Sequence, residues 1–106
     1  MAKYLIKAAY TTEGAKGLMK DGGTKRVEAV RAAMKSVGGS LDTAYFALGD
    51  YDFYAIVEAP DHVAISAVAV VANAGGGAHV STTVLMTPGD VDAAVKKAVT
   101  YTAPGR

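Results

Sequence analysis

No cysteine occurs in the 106 residues. Its absence excludes disulfides, thiolate metal ligands and cysteine nucleophiles together, and it suits a cytosolic, cytoplasmic setting. Tryptophan is also missing, and the 51% of residues that are hydrophobic are mostly Ala and Val, so any core is assembled from small side chains. No long apolar run is present. Lys3 and Lys7 interrupt the N-terminal one, and the most apolar stretch, Val63 to Ala72, is too short to span a bilayer. No signal peptide and no membrane partner are expected. Histidine is limited to His62 and His79, neither at metal-ligand spacing from a second His or a carboxylate, so no metal is expected.

A strong charge of either sign is lacking as well. The net charge of +1 is far from the basic balance of a nucleic-acid binder. The distribution is uneven, with +5 over residues 1–36 and −4 over the remainder. Such a split fits two solvated faces, subunits that pack basic region on acidic region, or an anion near the first helix.

One domain is expected, over residues 1–101, with 102–106 as a flexible C-terminal tail. A chain of this size buries only about two thirds of its unfolded surface, so a partner subunit would add burial. From Lys3 to Tyr10 the chain alternates as a strand, with Tyr4, Ile6, Ala8 and Tyr10 on one side and Lys3, Leu5 and Lys7 on the other. A loop is expected next, containing Gly14, Gly17 and Gly22-Gly23. Thr24 then caps a helix bearing Val27, Val30, Met34 and Val37 at helical spacing, ended by Gly38-Gly39.

Leu41 to Leu48 reads as a second strand and Asp52 to Ala59 as a third, joined by a hairpin turn at Gly49-Asp50-Tyr51. Asp61 caps a second helix from about His62 to Ala74, apolar almost all round and so expected to be buried on more than one side. Val80 to Thr87 gives a fourth strand after Gly75-Gly76-Gly77. Thr87-Pro88-Gly89-Asp90 opens a last helix with Val91, Ala94, Val95, Ala98 and Val99 on its inner face.

The order is βαββαβ with an extra C-terminal helix, an α+β arrangement of the ferredoxin-like type. Two helices cover one face of such a sheet. The other face, on the order of 400 Å² from strand spacing and length, should carry Leu5, Tyr45, Tyr54, Ile56 and Leu85, and a facing sheet from a second copy would hide it.

The run Thr12-Glu13-Gly14, then Arg26, Val37-Gly38-Gly39, Leu48-Gly49-Asp50-Tyr51-Asp52, Glu58-Ala59-Pro60-Asp61 and Thr82-Thr83 resembles the GYD domain family, named for a Gly-Tyr-Asp signature met here by Gly49, Tyr51 and Asp52. The resemblance spans about Tyr4 to Val99. It implies a dimeric α/β barrel, with two ferredoxin-like sheets face to face, and it brings no assigned activity. The glycine-rich Gly75 to Gly77 departs from the family's pattern and bears on the register of the fourth strand.

Gly17-Leu18-Met19-Lys20-Asp21-Gly22-Gly23-Thr24 has P-loop spacing, but Gly23 stands where the phosphate-reaching lysine belongs, so no nucleotide cofactor follows. The glycine loop before a helix could still hold an anion on backbone N–H groups. No nucleophile elbow surrounds Ser36, Ser40, Ser66 or Ser81. Alternation instead gathers Lys7, Tyr45, Tyr54, Glu58, His79, Ser81 and Thr83 on the uncovered face. They are candidates to line a ligand cavity between two sheets, with Glu58 and His79 available for proton exchange; a hydrogen-bonded subunit interface without a ligand is the competing reading. Gly49, Tyr51 and Asp52 suit a structural role in the turn. A homo-oligomeric small-molecule-binding or interaction module is expected, without cofactor. The alternative is a cofactor-independent enzyme acting on a small aromatic or quinone-like compound, by fold analogy alone.

Overall fold

The computed structural model describes residues 1–106. Four strands, β1 (Ala2–Tyr10), β2 (Ser40–Phe46), β3 (Phe53–Ala59) and β4 (Ala78–Leu85), form an antiparallel sheet in the order β2-β3-β1-β4. The helices are α1 (Thr12–Asp21), α2 (Gly23–Ser36), α3 (His62–Ala74) and α4 (Pro88–Val95). The strand order and the two crossovers make a ferredoxin-like α+β fold. No helix is long and apolar enough to cross a membrane.

Alternation decides which face is buried. On β1 the side chains of Tyr4, Ile6 and Ala8 are buried, and on β3 those of Phe53, Ala55, Val57 and Ala59. They meet Met34 of α2 and Ile65 of α3 in a single core cluster. Residues of opposite parity, from Lys3 to Ala9 and from Tyr54 to Glu58, lie on the face that no helix covers.

The segment after β1 is helical, not the expected loop. Thr11 caps α1 by accepting from the Gly14 N–H at 3.2 Å, and Thr11 also donates to the Gly76 carbonyl at 2.8 Å. Gly14 lies so close to the Gly75–Gly77 loop that a methyl group there would sit 1.8 Å from the Gly77 carbonyl oxygen. Glycine is thus placed in α1 for close approach, which outweighs its poor helix propensity. Gly22, with φ +82°, separates α1 from α2, which begins at Gly23 instead of at a Thr24 cap. The expected glycine loop is thus reduced to Gly22, between two helices.

Three strand assignments shift. β2 ends at Phe46, two residues before Leu48, and a bulge interrupts its pairing with β3 between Leu41 and Thr43. β4 begins at Ala78 and ends at Leu85, because the Asn73 side chain accepts from the Val80 N–H at 2.8 Å and Thr11 fixes the preceding glycines. The expected β3 began one residue early, since Asp52 belongs to the turn.

The largest difference concerns the outer helices. α4 is well specified, with a Thr87–Asp90 capping box and Pro88 in its first turn, yet none of its residues is buried and it forms no packed interface with the sheet or the other helices. Val91, Ala94 and Val95 face solvent, and Ala98 and Val99 lie past the helix end. The molecule extends 57 Å along its longest axis with a radius of gyration of 16.9 Å, against about 13 Å for a compact chain of this length. In the single copy α3 is likewise covered on one side only: Ile65 is buried, whereas Val63, Val70 and Val71 are exposed.

Candidate functional site on the open sheet face

Strand register arranges the uncovered face in cross-strand rows. One row runs Tyr45, Tyr54, Lys7, Ser81; the next Thr43, Ile56, Leu5, Thr83; a third brings Ser40, Glu58, Lys3 and Leu85 together. His79 stands opposite Ala9, beyond the first row. All seven candidate residues therefore share the face, but not one site. Glu58 pairs with Lys3 and His79 with Ala9, positions about 20 Å apart along β1 at ~3.4 Å per residue. Within one copy these two side chains cannot exchange a proton.

The row of Tyr45, Tyr54, Lys7 and Ser81 is the most concentrated group. Tyr51 joins it from the turn. The Lys7 Nζ lies 4.8 Å from the Tyr51 ring centroid, a cation–π contact, and the Tyr51 ring meets Tyr54 edge-on at 6.2 Å. One ammonium and three tyrosines thus occupy one end of the face, beside an apolar strip of Leu5 and Ile56.

Tyr51 reaches this position because its neighbour is pinned. The Asp52 N–H donates to the Ala8 carbonyl at 2.9 Å, the Ala47 N–H donates to the Asp52 carbonyl at 2.9 Å, and the Asp52 carboxylate accepts from the Tyr10 N–H at 2.8 Å. Gly49 has φ +153°, which L side chains resist, with open space where a side chain would project. Gly49 and Asp52 shape the turn, and Tyr51 is presented by it. Alternation cannot find Tyr51, because the residue precedes β3 and has the parity of the buried face.

At the opposite end Lys3 hydrogen-bonds Asp42 and lies 3.4 Å from Glu58. The hydrogen bond to Asp42 raises the Lys3 ammonium above its ordinary 10.5, the charges of Asp42 and Glu58 add to this, and desolvation opposes it. The three main concavities of the chain lie away from the open face, so a closed site there needs a second wall. No group of three or more His, Asp and Glu side chains converges as a metal would require.

The other histidine, His62, lies off this face, at the start of α3. The Tyr4 hydroxyl, on a side chain only 1% exposed, hydrogen-bonds His62 Nδ1 at 2.7 Å, linking the buried face of β1 to the first turn of α3.

No curated protein and no solved structure matched the chain. The family model of the GYD domain matches residues 4–95, which takes in β1 from Tyr4 onward, the other three strands and the turn that presents Tyr51, and the chain belongs to the GYD domain family.

Proposed function

We propose that the protein is a cytoplasmic homo-oligomeric module that binds a small, planar, anionic or phenolic molecule between two open sheet faces. The observation that carries this reading is the Lys7–Tyr51–Tyr54 cluster. It offers one positive charge, ring surfaces for stacking and hydroxyls for orientation, beside the apolar Leu5 and Ile56. A facing sheet would exclude water from the cluster and also cover the apolar strip. Binding is favoured over catalysis because Glu58 is held by Lys3 and is remote from His79, which leaves a single copy without an acid–base pair.

A thermal-shift screen of small carboxylic acids, phenols and quinones tests the reading. A ligand at 100 times its dissociation constant stabilises the fold by about 2.7 kcal/mol. Lys7→Met and Tyr51→Ala should each abolish the shift given by a hit. Hits that persist in both variants would place the ligand elsewhere and reject the open-face site.

A further inference from the structure

We propose that α4 is an exchanged arm, which lays its apolar side into the groove between α2 and α3 of a second copy of this chain. The inference extends the homo-oligomeric reading above to a separate surface. α4 has eight residues, whereas isolated helices shorter than about 12–15 residues are marginal in water. Its caps specify the helix, but its stability calls for packing that its own domain does not give. Val91 and Val95 lie one turn apart and are exposed, with Ala94 beside them, so the side that should be buried is a narrow stripe of small residues.

The groove has matching chemistry, with space for side chains of the stripe. It encloses about 270 Å³ and is lined by Ala29, Val30 and Ala33 of α2 and by Ala67, Val68 and Val71 of α3. Alanine on both walls lets a third helix approach closely, and Val71, at one rim, is 72% exposed. Arg26 lines the same groove and makes no side-chain hydrogen bond or ion pair within the copy. On the arm, Asp90 is occupied by the capping box, but Asp92, next to Val91, has no partner. An arm seated by its valines brings an unpaired carboxylate to a groove with an unpaired guanidinium.

The arm does not fill the groove of its own copy, and the short connection disfavours it. Only Met86 and Thr87 separate β4 from α4, and the three chain steps from Leu85 to Pro88 span at most about 11 Å. α3 packs over β4 and stands between that strand and the groove. Its diameter, about 10–12 Å with side chains, is as large as this reach, so Pro88 starts α4 on the far side of α3 from the groove. A second copy carries no such restriction.

The absence of native cysteine makes a cross-linking test clean. Tagged protein carrying Val95→Cys is mixed with untagged full-length protein carrying Val71→Cys and mildly oxidised. The expected result is a disulfide between tagged and untagged copies at least ten-fold above that formed when Met19→Cys, a still more exposed position on α1, replaces Val71→Cys. Adding Val91→Asp to the tagged copy should remove the product; Val91 is exposed in the single copy, so folding is not at stake. No cross-link, equal cross-linking at Met19→Cys, indifference to Val91→Asp, or a disulfide closing within one copy that carries both Val95→Cys and Val71→Cys would each overturn the arm. Ligand-induced shifts at the open face depend on neither Val71 nor Val95, so failure here leaves the binding reading standing.

Discussion

The carboxylate of Asp52 accepts the backbone N–H of Tyr10 at 2.8 Å, which ties the signature turn to the far end of β1. The bond crosses from the β2–β3 hairpin to another strand, so the turn belongs to the sheet as a whole. Asp52→Ala leaves that half-buried N–H without its acceptor, and a loss of about 1–3 kcal/mol is expected. Asp52→Asn keeps an acceptor and should recover part of it. Gly49→Val should also lower the melting temperature, because φ +153° is strained for any side chain, while Tyr51→Phe keeps the ring and should be mild. Calorimetric melting of the four variants measures the ranking.

Two glycines of α1 should respond in opposite directions. Gly14→Ala forces a methyl group against the Gly77 carbonyl, so destabilisation is expected, with loosening of the Thr11–Gly76 contact. Gly17 has open space around it and lies inside the helix, where Ala is favoured over Gly by about 0.5–1 kcal/mol. Urea unfolding should therefore show Gly17→Ala above the parent and Gly14→Ala below it. Reversal of that order would refute the close-approach account.

His62→Ala leaves the hydroxyl of a buried tyrosine unpaired, at an expected cost of about 1–3 kcal/mol. Tyr4→Phe removes the hydroxyl and leaves only an exposed imidazole without its partner, so the smaller loss is expected there. The double variant should resemble Tyr4→Phe alone, which a double-mutant cycle by chemical denaturation would measure.

At micromolar concentration the protein should be at least dimeric by light scattering. Ile56 sits in the middle of the open face between Thr43 and Leu5, and Ile56→Asp would bury an unpaired carboxylate against a facing sheet. A shift to monomer, or unfolding, is expected; unchanged mass and unchanged stability would rule out the face as the contact.

Lys3 supplies a pH dependence whose sign is fixed. Its ammonium is raised by the hydrogen bond to Asp42 and then by the nearby carboxylates, so its contribution is complete below the ordinary 10.5 and is lost as pH rises through the higher folded value. The group is exposed and the effect is small. The melting-temperature difference between parent and Lys3→Met should be constant from pH 7 to 9 and shrink above pH 11.

The sheet was legible from sequence because burial on β1 and β3 follows a period of two, without exception on β3 and away from the strand ends on β1: Tyr4, Ile6 and Ala8 are buried on one strand, and Phe53, Ala55, Val57 and Ala59 on the other. The span of α3 was legible for a similar reason, since Asp61 supplies a cap and Gly75 a stop. α1 was not, because its two glycines suggest a loop unless the approach of Gly77, more than sixty residues away, is known. For α4, spacing points to an inner face of Val91, Ala94, Val95, Ala98 and Val99, yet the helix ends at Val95 and all five residues are exposed, because periodicity marks an apolar side of a helix and not what covers it.

The candidate residues divide along the same line. Parity placed Lys7, Tyr54, Glu58, Ser81 and Thr83 on one face. It could not give their spacing along the strands, because the distance from Glu58 to His79 depends on the register of both with β1. Tyr51 enters the cluster through the hydrogen bonds of Asp52, a tertiary arrangement with no local trace in the sequence.

The side-chain amide of Asn73 both accepts from Val80 N–H at 2.8 Å and donates to its carbonyl at 3.4 Å. For that one residue of β4, α3 supplies what a neighbouring strand would otherwise supply, and the bulge near Leu41 disrupts the opposite rim at β2. At these two places the margins of the sheet are poorer templates for adding another strand. Edge-to-edge addition of a further strand, the step that ribbon-like polymers require, is disfavoured at these two points of the sheet.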